Sequence, residues 1–447
     1  MSVTRVLADE IVGTDPASIP DEAMDLVRAM FVDHVGIAFM GYQFTGGGLV
    51  GYARDLGGAE EALLLGTDIR APAEIAAGVN GQLAQNAGME NTGPGLHAGP
   101  LVVHTALAVG QKTGASGADV LAAIALGYDL NARFHLARTA DEDLRHLNMV
   151  GAAVAARLLR LDVYSTADAL SMAWEFPMRQ RLYLKPKVPK RVSAFPMGHL
   201  FTARSGIQAA VMAQHGYPNL VDEIDQLGDE YDLDALTRRS PGYESITRGL
   251  FLKPYVASHL CHMVLQTVSE VVDANEIAPG EITRIEVGLP HIYTIPHQSD
   301  PSPETFWESI YSAEWAISMV AHRVPPGPDW CTPERLADPS SRALAERVRI
   351  VEHPPATAAL ARKDFLAVDG WVRLETGGRV LTGTRTMAET YGSPTTPMTP
   401  EMLEEKFLRV SEPTLGHTRA RPAWEQLNQV HQLDDVRELT RFLVARS

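Results

Sequence analysis

Between residues 21 and 40, apolar side chains recur three and four positions apart: Met24, Val27, Met30, Phe31 and Val35. That spacing places them on one stripe of an α-helix with a buried face. A first amphipathic segment precedes it, set off by Thr14-Asp15-Pro16 and Ile19-Pro20, so residues 1–40 predict two helices. Pro72 suits the first turn of the Ala-rich segment that follows, which ends near Gly88. Next comes a loop of Gly, Pro and small residues, Asn91 to Pro100. Three more Ala-rich helices are predicted over 101–112, 118–135 and 150–162. Small residues on several faces let such helices approach closely, which predicts a compact helical core.

The period changes after about residue 280. Residues 282–289 and 370–377 alternate apolar and polar side chains, as half-buried strands do, and 343–353 reads as a helix running into a third strand. From Thr399-Pro400-Glu401 onward the pattern is helical again. The predicted order is therefore mainly α: a long helical part, an α+β insert and a helical C-terminus. The expected boundaries are 1–274 for the first helical part, 275–395 for the α+β insert and 396–447 for the helical return. No internal repeat or low-complexity segment interrupts this order.

Composition changes the picture only by exclusion. With 447 residues, 45% apolar and 21% charged, the chain can bury a large core without staples. Two cysteines, Cys261 and Cys331, predict a reduced compartment and no disulfide framework. A net charge of −16 argues against nonspecific nucleic-acid binding, which needs a basic face. No apolar run approaches the ~20 residues that cross a bilayer. Asp9 and Glu10 interrupt the place a signal peptide would occupy, so a cytoplasmic protein is expected. No dinucleotide fingerprint, P-loop, nucleophile elbow or HExxH helix is present.

Histidine carries the candidate chemistry. His97 lies in the Gly/Pro loop, where backbone can approach a ligand and core packing gives no reason for an imidazole. With an ordinary pKa near ~6.5, such a ring takes or gives a proton at neutral pH. The alternative is a solvated loop histidine. His259 and His262 share a helical face three residues apart, a spacing that also suggests metal, although no third ligand is evident nearby. His104, His135 and His199 fit structural roles, while His146, just before the 150–162 helix, is the exception expected to reach substrate. Six cations, Arg179, Arg181, Lys185, Lys187, Lys190 and Arg191, form a basic stretch in an acidic protein. That stretch could attract an anion or simply be a solvated edge.

Several segments together resemble one family. The helix 26–41 with its Asp and Gly, the helix-to-loop segment 76–99, the core helix 114–134 and Lys253-Pro254-Tyr255 leading to His262 are similar to MmgE/PrpD proteins. So are the segment 308–321 and the closing run 387–407 with Gly392, Pro397 and Lys406. Charge and the lack of a long apolar run predict no nucleic-acid or membrane partner. The resemblance implies a mainly α fold, a large all-helical domain (1–274 and 396–447) with a smaller α+β lid (275–395). It also implies a homodimer acting without cofactor or metal on a small carboxylate or carbonyl compound. It implies catalytic roles for His97, His262 and Thr92, and substrate contact for Lys253 and Asn91.

Three positions depart from the family pattern. Gly88 falls in the register of a family acidic residue, with Glu90 and Asn91 close by; Phe195 replaces a lysine, and Trp315 replaces a tyrosine. Phe195 and Trp315 are accordingly expected to shape a pocket for a less charged, bulkier substrate. The expected activity is that of a lyase or isomerase abstracting a proton α to a carboxylate or carbonyl. Dehydration is favoured, with decarboxylation and epimerisation open. The alternative is a catalytically silent relative that binds a small molecule or a partner protein.

Overall fold

The computed structural model describes residues 2–94, 97–139, 145–176, 198–219, 222–295 and 298–445. The chain is mostly helical, with a small sheet late in the sequence. Phe195 and the basic stretch 179–191 lie outside the described residues.

The second helix runs Asp21–Leu56, well past the end near residue 40 that its apolar stripe predicts. Asp21 and Glu22 stand in its first turn and Arg54 in its last, as the helix dipole favours. Its continuation carries Gly46, Gly47 and Gly48, poor helix formers that packing holds in register. Leu49, Val50 and Ala53 are buried there. At Gly41 the two helices nearly touch: a Cβ would sit 1.8 Å from the Leu83 carbonyl oxygen.

Ala73–Asn86 is the axis of the core, packed against Asp21–Leu56, Gly99–Thr113 and Gly198–Gln214. Nearly all of it is buried, so its polar side chains must find partners inside. Asn80 accepts from Leu65 N at 2.9 Å and donates to Leu63 O at 2.8 Å, while Asn86 donates to Thr45 Oγ1 at 2.8 Å. The helices Gly117–Ala137 and His146–Leu158 complete this body.

The main sheet has four strands in the order Val348–Glu352, Ile282–Leu289, Asp369–Thr376 and Arg379–Thr386. The first pair is parallel, with Ile285 opposite Val348, and the other two are antiparallel. Helix His262–Ala274 packs on strands Asp369–Thr376 and Arg379–Thr386. The terminal helix Pro400–Leu415 returns to Asp21–Leu56, where Phe407 covers Gly36 and Thr414 Oγ1 donates to Phe39 O at 2.9 Å. Among the described residues, no helix is long and apolar enough to cross a membrane.

Candidate active site

Past Asn86 the chain turns at Gly88, whose φ of +66° is the left-handed conformation that glycine adopts without strain. It then runs inside the protein, stitched to its neighbours. Thr92 N donates to Phe251 O at 3.0 Å, and Phe251 N returns the bond to Thr92 O at 2.7 Å. One residue on, Leu252 N donates to Gly392 O at 2.9 Å. Gly392 has a φ of +90°, and a Cβ there would lie 1.8 Å from Leu252 O. Three distant segments thus run side by side. The close contact accounts for a glycine at 392.

Successive side chains of this extended stretch point to opposite sides. Glu90 and Thr92 border a cavity of about 380 Å³; Asn91 does not. His97, Lys253 and His259 border the same cavity, as do Gln85, Gly88 and Ser258. Residues beyond 290 supply another part of the wall, including Ile292, Ile310, Tyr311, Leu360, Lys363 and Phe365.

Glu90 organises the polar end. Its Oε1 lies 2.6 Å from His97 Nδ1 and 3.2 Å from Lys253 Nζ, and it accepts from Gln85 Nε2 at 3.3 Å. Burial opposes ionisation of this carboxyl, but the Lys253 and His97 charges outweigh it and hold its pKa well below the usual carboxylate range. Its Oε2 is buried without a hydrogen-bond partner among the described residues. Lys253 Nζ also lies 3.5 Å from Gly88 O.

The second imidazole is held differently. His259 Nδ1 lies 2.8 Å from Thr92 Oγ1, and its ring meets Phe251 edge-on at 4.7 Å. Burial, with help from His262 and Lys253, pushes its pKa well below the ordinary histidine value, so the ring is neutral. Its Nε2 is buried with no hydrogen-bond partner among the described residues. Unsatisfied buried polar atoms are costly, and these two belong to residues that border one cavity.

Other residues expected at the site are placed elsewhere. His262 does not border the cavity: it sits behind His259, ring centroids 6.0 Å apart, with Nε2 donating to Ala257 O at 3.3 Å. Burial, with Lys253 second, lowers its pKa to about 3. Among the described residues, no three His, Cys, Asp or Glu side chains gather as a metal site requires. Asn91 faces the core, its Oδ1 2.6 Å from His34 Nε2 and accepting from Tyr128 OH at 3.0 Å. Trp315 is buried with its indole N–H donating to Trp330 O at 2.9 Å, away from the cavity. His146 stacks on Phe134 and contacts Arg138 at 3.1 Å, also away from it.

Further sequence-based expectations also need correction. Gly88 does not mark a missing carboxylate, because Glu90 brings one to the same cavity. Nor does Trp315 put an indole into the pocket; Tyr311, four residues earlier, brings a phenol to its wall. His135, expected to be structural, borders the cavity too, with a pKa lowered to about 4 by burial and then by Lys363 and Arg138. The signal for Glu90 was its place two residues before Thr92. Tyr311, Lys363 and His135 gave none, since nothing local ties residues so far apart.

The fold and cavity define a class: a mostly helical protein whose late α/β segment shares with the helical body a pocket bordered, among the described residues, by three histidines, a carboxylate and two lysines. Family models for the MmgE/PrpD N-terminal domain and the MmgE/PrpD C-terminal domain match residues 5–222 and 255–432, most of the chain. The chain belongs to the MmgE/PrpD family, which includes dehydratases and related enzymes. Compared with curated proteins one by one, the sequence finds no match.

Proposed function

We propose that this chain is a lyase or isomerase that removes a proton α to a carboxylate or carbonyl, with dehydration the favoured outcome. The observation that carries the reading is the unlike setting of two histidines beside one cavity. Environments that set two titratable groups apart are how one pocket runs acid and base steps together. His259 is neutral and buried, with Nδ1 engaged by Thr92 and Nε2 unpaired among the described residues, so the ring is in the form that can take a proton. His97 has the Glu90 carboxylate against Nδ1, a partner that orients the ring and offsets positive charge on it, which suits an acid.

In a dehydration, His259 Nε2 takes the α proton and the C–H electron pair moves toward the carboxyl group. Lys253 offsets the charge that develops there. As the pair returns to form the C=C bond, the β C–O bond breaks and the leaving hydroxyl takes a proton from His97, departing as water. Decarboxylation and epimerisation share the carbanion-like species. A cofactor-independent reaction, a homodimer and a cytoplasmic location go with this reading. Light scattering giving twice the chain mass would support the dimer.

The test is proton–deuterium exchange in D2O over a panel of 2- and 3-hydroxy acids and their unsaturated products. Exchange at the α carbon is expected, with His259→Ala reducing it by ~10²–10⁴-fold and His97→Ala reducing dehydration by a similar factor while exchange persists. Neither change should lower the melting temperature by more than a few degrees. Binding without exchange across the panel would instead identify a silent relative that holds a small molecule. Full activity in His97→Ala would remove that residue from the mechanism.

A further inference from the structure

Resting on the proton-transfer reading, we infer that Asn131 is a positioning residue that sets where His97 stands against the substrate. One face of helix Gly117–Ala137 carries the argument. Tyr128, Asn131 and His135 recur three and four positions apart, so they form one stripe along it. That stripe follows the active-site loop. Tyr128 OH donates to Asn91 Oδ1 at 3.0 Å, Asn131 Nδ2 donates to Pro94 O at 3.1 Å, and His135 borders the cavity.

The neighbouring stripe holds the other half of the site. Asp129 Oδ1 accepts from Ser245 Oγ at 2.8 Å, and Arg133 donates to Leu236 O at 2.9 Å, which ties down the segment that runs on to Lys253. Between these two holds the backbones meet. A Cβ on Gly93 would lie 2.7 Å from Gly249 O, and one on Gly249 would lie 2.9 Å from Pro94 Cδ. One helix thus sets the spacing between the loop that carries His97 and the segment that carries Lys253.

Asn131 acts on one side of that spacing. Asn91 and Thr92 have anchors of their own in His34, Tyr128 and Phe251, so Glu90 and the Thr92–His259 contact do not depend on it. Pro94 lies after those anchors and three residues before His97. Asn131 is buried, and removing its amide leaves Pro94 O without this donor. The displacement passes on to His97, and an error of ~1 Å in a reacting group costs up to ~10²-fold in rate.

The experiment measures dehydration and α-hydrogen exchange in D2O for the full-length protein and for Asn131→Ala. Dehydration is expected to fall by ~10–10²-fold in kcat with KM within about twofold, while exchange, which needs only the base, stays near wild type. Gly127→Ala is the control for a disturbed helix: its methyl would lie 2.7 Å from Val102 Cγ1, and both rates should keep their ratio. Asn131→Leu, close in volume and unable to donate, serves if the alanine variant does not fold. Exchange and dehydration falling by the same factor, or neither falling, overturns the inference.

Ring ¹⁵N spectra separate this failure from that of the function itself. If wild type neither exchanges nor dehydrates any acid of the panel, the catalytic reading fails and the positioning is read from His97, whose Nδ1 lies against Glu90. Its ring signals should move in Asn131→Ala while those of His259 stay. His97 signals that do not move overturn the inference by themselves.

Discussion

Glu90 shows how one side chain can serve both stability and chemistry. Its carboxylate is buried, and three groups converge on a single oxygen. Glu90→Gln would leave the Lys253 ammonium buried without its counter-charge, so a loss of about 3–5 kcal/mol in folding stability is expected from urea titration at pH 7. The lowered Glu90 pKa fixes the sign of the pH dependence: a carboxylate depressed in the folded state stabilises above its unfolded pKa, and that contribution fades as pH falls below about 4.5. The gap between wild type and variant should therefore narrow in acid; a gap that stays constant would show that Glu90 is not held ionised.

On the far side of the same backbone, Asn91 is clamped by His34 and Tyr128, and a Cβ on Gly99 would lie 2.0 Å from His34 Nε2. Asn91→Ala would strip both partners, at roughly 1–3 kcal/mol for each group left unsatisfied. Because Asn91 lies between Glu90 and Thr92, the variant should also lose turnover at saturating substrate. A variant with normal kcat would show that the clamp does not set the two cavity side chains. At this scale the sequence was legible where chemistry had a local signature. His97 stood out in its Gly/Pro loop. His259 and His262 stood out as a pair, but only packing shows which of them borders the cavity.

At the scale of elements, legibility followed the strength of the period. Residues 282–289 alternate cleanly and form a strand with the same bounds. Arg379–Thr386 was missed, because at the sheet edge its side chains are all exposed or half-buried and no alternation appears. The extension of Asp21–Leu56 through three glycines was equally hidden, since it depends on partners far along the chain.

Two glycines of that helix give opposed predictions. Gly47→Ala has nothing within 4 Å of the new methyl and lies on the exposed face, so it should stabilise by about 0.5–1 kcal/mol. Gly41→Ala would drive a methyl into the Leu83 carbonyl, and forcing the two helices apart should cost about 1–3 kcal/mol or more. Chemical denaturation of the pair, side by side, distinguishes close packing from helix propensity as the reason for glycine; a stabilised Gly41→Ala would refute the contact.

For the molecule as a whole, the notable feature is how many histidines folding takes out of water. His199 and His262 are held near pKa 3 and His135 near 4, each by burial first, and His34, His104 and His259 are lowered too. All of these rings take up protons when the chain unfolds below about pH 6.5, whereas the folded state keeps them neutral. The unfolded state therefore binds more protons through the window from about pH 6.5 down to 4, and stability must fall as pH falls. Each such ring contributes roughly 1.4 kcal/mol per pH unit inside that window. Full stability is expected above pH 7, with a steep decline by pH 5 that urea midpoints at half-unit intervals would trace. His262→Asn should remove one proton from the slope, separating its burial from that of its neighbours. Since His259 must lose its proton before it can act as a base, the conditions that keep the fold intact are those that keep the proposed base neutral. A flat stability profile between pH 7 and 5 would contradict that coupling.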